Sequence, residues 1–274
     1  MTPMSASMLV PAETSVRRTL GLLFVPQHDE PFATSDRRPA IERNSLQLPD
    51  TKADRALLRW LLGHQIAYCV WRRLAGVLWR MAREGTTDKD LAEAASWYHR
   101  YTALFIYAGS CGENLYSAII RPSMAHAHPG FSGVWARDYT RVSRLLHELA
   151  IPPGSSLKQA VKTNRTVHMR IAKILVPEGE SLLKASGQRA GQGALPEQED
   201  LFDKYFLVER TAVTENSFAF QAVFRAKTAL LDLEQHPIQR AEYASVLTML
   251  PDDITTVFRD MVLAFTPLRT GVPR

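Results

Sequence analysis

The chain has 274 residues, 46% of them hydrophobic. That is enough to bury a core in one large domain or two small ones, and too apolar for a disordered chain. Its formal charge of +5 is scattered, with acids beside almost every basic cluster, so no basic stripe with interleaved aromatics points to nucleic acid.

The two cysteines, Cys69 and Cys111, stand in apolar sequence with no C-x-x-C or C-x-x-C-H pattern. This argues against a disulfide framework, a structural zinc site and a c-type haem attachment, and favours a reducing compartment. The apolar run Leu20–Pro26 is too short for a signal peptide, and no run approaches the ~18 residues of a membrane span. A cytoplasmic protein that neither crosses a membrane nor binds nucleic acid is the expectation.

Residues 1–50, rich in Pro, Ser, Thr and Arg, read as an extended N-terminal arm with a short strand or helix near Arg18–Val25. From residue 51 the periodicity turns helical and stays so to the end. Asp50 or Thr51 caps a long helix from Lys52 to about Arg83, apolar nearly all round in its middle and therefore central. Gly85 ends it. A second helix starts at Asp88 and runs to about Ala108. Ser110 and Glu113 have capping-box spacing and predict a short helix to Ile120, followed by a loop at 121–130.

A helix is expected from Ser132 to Ala150, stopped by Ile151-Pro152-Pro153-Gly154. Ser156 and Gln159 repeat the capping-box spacing and open a helix to about Leu175. Residues 178–199 hold most of the local Gly and Gln and predict a long mobile loop. Helices follow at roughly 200–209, 215–235, 238–249 and 252–265. Strand patterns are scarce, so the fold class is all-α: a helical bundle over 51–274 with an arm at 1–50.

Six of the eight histidines have ordinary explanations. His126 and His128 form a His-x-His pair in a loop, but no Asp, Glu or Cys stands at ligand spacing, and turn chemistry accounts for them. His64 and His168 differ. The face of His64 carries Trp60, Leu61, Ala67, Tyr68 and Trp71; that of His168 carries Val161, Asn164, Ile171 and Leu175. Each imidazole points where its helix buries itself. Taken singly, each reads as a hydrogen-bonded core histidine. As a pair on two central helices they also suit a haem held within a bundle, for which a neutral imidazole is a standard axial ligand.

Three motifs then coincide in order. His64-Gln65, in a helix with Tyr68 and Trp71, resembles the HQ-x-x-E-L-W helix of tryptophan 2,3-dioxygenase. Gly130-Phe131-x5-Arg137 resembles that family's GF-x5-R segment, and Arg165-x-x-His168-Met169-x-Ile171 resembles the helix bearing its proximal haem histidine. Tyr68-Cys69-Val70 stand in place of E-L-W, and the glycine-threonine loop of that enzyme has no counterpart. Together with Arg121–Tyr139 and the arm, the chain looks most like the histidine-ligated, haem-dependent L-tyrosine 3-hydroxylases of bacterial natural-product pathways.

The resemblance implies haem b, with His168 as the proximal iron ligand and Asn164 as its candidate neighbour, and His64 as the distal acid–base residue. Arg137 would bind the substrate carboxylate, with Ser132, Phe131, Trp135 and Tyr68 lining the pocket and Tyr139 a further candidate wall. The implied reaction adds one oxygen to L-tyrosine, giving L-DOPA, from hydrogen peroxide or dioxygen, in a homodimer or homotetramer. Three alternatives stay open: an indole ring-opening dioxygenase, a non-catalytic haem protein ligated by both histidines, and a haem-free helical interaction module.

Overall fold

A computed structural model of the chain describes residues 9–27, 30–37, 48–177, 179–187, 193–239 and 241–267. The bundle is built on α2 (Lys52–Glu84), buried along most of its length between α3 (Asp88–Ala108), α6 (Arg137–Glu148) and α10 (Glu215–Gln235). Thr51 caps α2 by accepting the Asp54 N–H at 3.0 Å, and a full capping box of Thr87 and Asp90 opens α3. On its other side α3 packs on α7 (Ser156–Leu175), and α12 (Ile254–Phe265) lies along α10. The all-α class is thus observed, and among the described residues no helix is long and apolar enough to cross a membrane.

Two glycines set how closely the helices meet. A Cβ on Gly63 would lie 2.9 Å from the Cβ of Ala108, and one on Gly109 would lie 2.5 Å from Cγ2 of Ile171. Only hydrogen at these positions lets α2 close on α3, and α3 on α7, at the end of α3 that the two candidate histidines share.

Several local expectations change. The N-terminal segment carries the short strand expected near Arg18–Val25 as β1 (Leu23–Val25), but also a helix, α1 (Leu9–Leu20), and Val16, Leu20, Leu23 and Val25 enter the core. β1 pairs in parallel with β2 (Val208–Arg210), Leu23 opposite Val208, in the small two-stranded sheet. Thr214 caps α10 by accepting the Ser217 N–H at 3.2 Å, and Asp36 accepts the Thr214 N–H at 2.7 Å. Of the predicted arm, 1–8, 28–29 and 38–47 lie outside the described residues.

Ser110 does not cap a helix. Its hydroxyl accepts from Arg59 at 2.9 Å and donates to the Tyr107 carbonyl at 2.7 Å. The chain runs on through α4 (Gly112–Leu115), a π turn at Tyr116–Ile120 and α5 (Arg121–Ala127), where a loop was predicted. Pro122 has no N–H to give to residue 118, and the wider turn just ahead of it absorbs that break. Ser155 rather than Ser156 caps α7. The predicted loop 178–199 contains α8 (Leu182–Ala185) and the start of α9 (Pro196–Tyr205), with 178 and 188–192 outside the described residues. In place of one helix over 238–249 there are a short 3-10 turn and α11 (Ala244–Leu247).

Candidate active site

His64 sits half-buried on α2, one turn after Trp60. Its Nδ1 lies 2.6 Å from the Trp60 carbonyl. A carbonyl only accepts, so Nδ1 carries the proton and Nε2 keeps its lone pair. The ring stacks on Phe206, centroids 4.0 Å apart and 10° from parallel, with Trp60 tilted against it at 4.4 Å. Burial lowers the pKa to about 4, against the opposing pull of the Trp60 hydrogen bond. The imidazole is therefore neutral at pH 7. Trp60 Nε1 is buried beside it, with no hydrogen-bond partner among the described residues.

The pocket residues gather round α9. Phe131 packs on Phe202, Tyr205 and Phe206 at 4.6–6.1 Å, and on Trp135 at 5.4 Å. Tyr68, buried, lies 6.3 Å from Phe202 and donates its hydroxyl to Asp203 Oδ1 at 2.7 Å. That phenol is pushed well above its usual pKa, first by burial and then by Asp203. Asp203 also accepts from Arg210, which in turn holds Asp138. Burial alone would lower the Arg210 pKa, but the two carboxylates hold it above its ordinary value. The result is a buried charge cluster joining α2, α6, α9 and β2. Sequence reading missed Asp203, Arg210 and Asp138, whose spacing along the chain carries no motif.

Arg137 belongs to the same neighbourhood, at the start of α6. Its Nη2 is bound to Asp200, and its Nε lies 3.4 Å from Asp203 and 3.8 Å from Glu199. The guanidinium is therefore held by carboxylates of α9, of which Asp200 is largely solvent-exposed. Ser132 accepts the Val134 N–H at 3.4 Å and caps a 3-10 turn. His128 serves the turn before it, accepting the Gly130 N–H at 2.9 Å. Among the described residues no group of three metal-capable side chains occurs.

His168 stands apart from this cluster, on α7 across α3. It is exposed overall, but its imidazole stacks on Phe105 at 4.5 Å and 12°, and burial lowers its pKa. Asn164 does not support it: the amide donates to Thr102 Oγ1 at 3.1 Å instead. A chain of ring contacts, Phe105–Tyr101–Trp71–Tyr68–Phe202–Phe206, links the stack on His168 to the stack on His64 in steps of 4.7–6.3 Å. The segment α4 to the π turn touches both α2 and α7, and Tyr116 meets Trp60 edge-on at 5.9 Å.

These features suit an imidazole-ligated planar group. Two histidines whose pKa burial lowers flank one end of α3; among the described residues each has a ring nitrogen with no hydrogen bond, and a buried indole N–H beside one of them lacks an acceptor. No curated protein matches the sequence. One family model does, the SfmD 3-methyl-L-tyrosine peroxygenase, over residues 6–154. The match spans α1 to α6, including His64, Tyr68 and the Phe131–Arg137 segment, and the chain belongs to this haem-dependent, tyrosine-modifying family.

Proposed function

We propose that the protein is a haem-dependent hydroxylase that adds one oxygen to the ring of L-tyrosine, giving L-DOPA, with hydrogen peroxide as the oxidant. The family supplies the reaction class, and the substrate in its name, 3-methyl-L-tyrosine, differs from tyrosine by one ring methyl. The observation that carries the residue assignment is His64, neutral, with Nδ1 committed to a carbonyl and Nε2 bare.

His168 would hold haem b, whose iron would supply activation of the oxidant's O–O bond. His64 is the acid–base residue. Its Nε2 takes a proton from the hydroperoxide or from the substrate phenol and returns it to the leaving oxygen. The Nδ1–H bond to Trp60 fixes the tautomer, so the basic nitrogen needs no rearrangement before it accepts. Phe206 and Trp60 keep water from the ring.

Arg137 binds the substrate carboxylate, whose planar oxygens match the guanidinium fork. The substrate takes the place of exposed Asp200 on Nη2, a surface pairing that costs little to break. Phe131, Trp135 and Tyr68 form the wall behind it. The test is the absorption spectrum of the purified protein with and without tyrosine, followed by product mass. One added oxygen on tyrosine supports the reading; two added to tryptophan would replace it with ring opening. A protein that takes up no haemin would end it.

A further inference from the structure

The turn that covers His64 is Phe206–Leu207, and its own sequence does not hold it. Leu207 has φ 57°, a region a branched side chain disfavours. The hold comes from Gln65, the residue after His64. Its Nε2 lies 3.0 Å from the Phe206 carbonyl, 3.3 Å from that of Leu207 and 3.1 Å from that of Gly21. Its Oε1 accepts from Arg225 Nε at 2.7 Å, and Arg225 Nη2 donates to the Leu22 carbonyl at 2.7 Å. Leu23 N–H closes the ring of contacts on the Leu207 carbonyl at 2.8 Å.

Arg225 makes this arrangement unusual. It is buried, and among the described residues no carboxylate pairs with it. Burying a guanidinium without a counter-ion is costly, and an apolar residue would cost less. Its three hydrogen bonds among the described residues go to the Leu22 carbonyl just before β1, the Gln221 carbonyl of its own helix and the Gln65 amide oxygen.

We infer that Gln65 and Arg225 are positioning residues: they clamp the Phe206–Leu207 turn to the N-terminal strand and so set the Phe206 ring against His64. The N-terminal segment is thereby part of the wall of the His64 site. The inference rests on the reading of His64 as the acid–base residue, and its test separates the two.

Three variants of the full chain suffice: Gln65→Leu, Gln65→Glu and, as a control, Gln221→Leu. Gln65→Glu keeps the side-chain size and an acceptor for Arg225, now as a charged partner, while removing the donors to the turn, so it tests the hold on the turn if Gln65→Leu fails to fold. Gln221 pins the same strand through Phe24, at 2.9 and 3.1 Å, but does not touch the turn. The first readout is the His64 ring resonance in the haem-free chain, which the stacked Phe206 ring displaces. Both Gln65 variants move it toward the position of an unstacked imidazole; Gln221→Leu leaves it in place. The second readout is turnover of the haemin-loaded enzyme, where the Gln65 variants lose on the order of tenfold to a hundredfold in kcat with little change in KM.

A His64 signal unmoved in both Gln65 variants, or moved equally by Gln221→Leu, overturns the clamp. So does a displaced ring with kcat within about twofold of the parent, given a His64→Ala variant that loses turnover. If His64→Ala turns over normally, the acid–base reading has failed, and the clamp is judged on the ring signal alone.

Discussion

The imidazole of His64 and the ring of Phe206 lie face to face, 4.0 Å apart, although 142 residues separate them in the chain. The stack shields a base whose second nitrogen is tied to the Trp60 carbonyl. Replacing His64 with alanine removes the proton acceptor and leaves the haem ligand on another helix. The variant should retain haem and lose about 10²–10⁴ in kcat, read by steady-state kinetics on L-tyrosine.

His168 gives the complementary result. Among the described residues its ring makes no hydrogen bond, and it stacks on Phe105. His168→Ala should abolish stable haem uptake while the far-ultraviolet circular dichroism stays helical. A variant with an unchanged haem spectrum removes His168 as the ligand.

Arg137 can be tested through its competitor. Arg137→Ala should raise KM for L-tyrosine by about tenfold to a hundredfold, the equivalent of about 1.5–3 kcal/mol for charge-assisted bonds. Asp200→Ala frees Nη2 and should lower KM. An Asp200→Ala enzyme with a higher KM would place the substrate carboxylate elsewhere.

Asp203 accepts from Tyr68 and Arg210 at once, both buried. Asp203→Ala leaves a buried guanidinium with Asp138 as its one remaining carboxylate partner. Breaking a pair of this kind costs about 3–5 kcal/mol, measurable as a lower urea midpoint. Tyr68→Phe removes one donor and should cost about 1 kcal/mol.

Acid should destabilise the fold through His64. Its pKa is about 4 folded and 6.5 as a free side chain, so the unfolded chain binds the extra proton between these values. Stability is then fully present above pH 6.5 and falls as pH drops toward 4, by at most about 3 kcal/mol from this group. His99 and His168, also lowered by burial, act with the same sign. His64→Phe should flatten part of the slope of the urea midpoint against pH.

The helices were legible because their signals are local. Periodic apolar residues over 52–83, the helix start at Asp88 and the Pro-Pro-Gly stop at 152–154 each act within a turn or two of chain. The same holds for His64, whose helical face shows which way it points; His168, expected to be buried with its face, is exposed apart from its stack on Phe105. Two local signals misled. The Ser110–Glu113 spacing is a capping box only if Ser110 is free, and Arg59, 51 residues away, engages its hydroxyl. Pro122 read as a loop because the widened turn ahead of it cannot be seen in composition.

Sequence alone thus determined the all-α class, the long central helix and the two imidazoles on separate helices, all consequences of short-range periodicity. Tertiary structure decided what faces them. It folded the N-terminal segment into the core, placed Phe206 on His64, joined Asp138, Asp203 and Arg210 in one buried cluster and gave Asn164 to Thr102 rather than to His168. Each of these contacts spans 62 residues or more, except those within 203–210. The reason is physical: a buried polar group needs a partner, and which residue supplies it depends on which helices the core brings side by side.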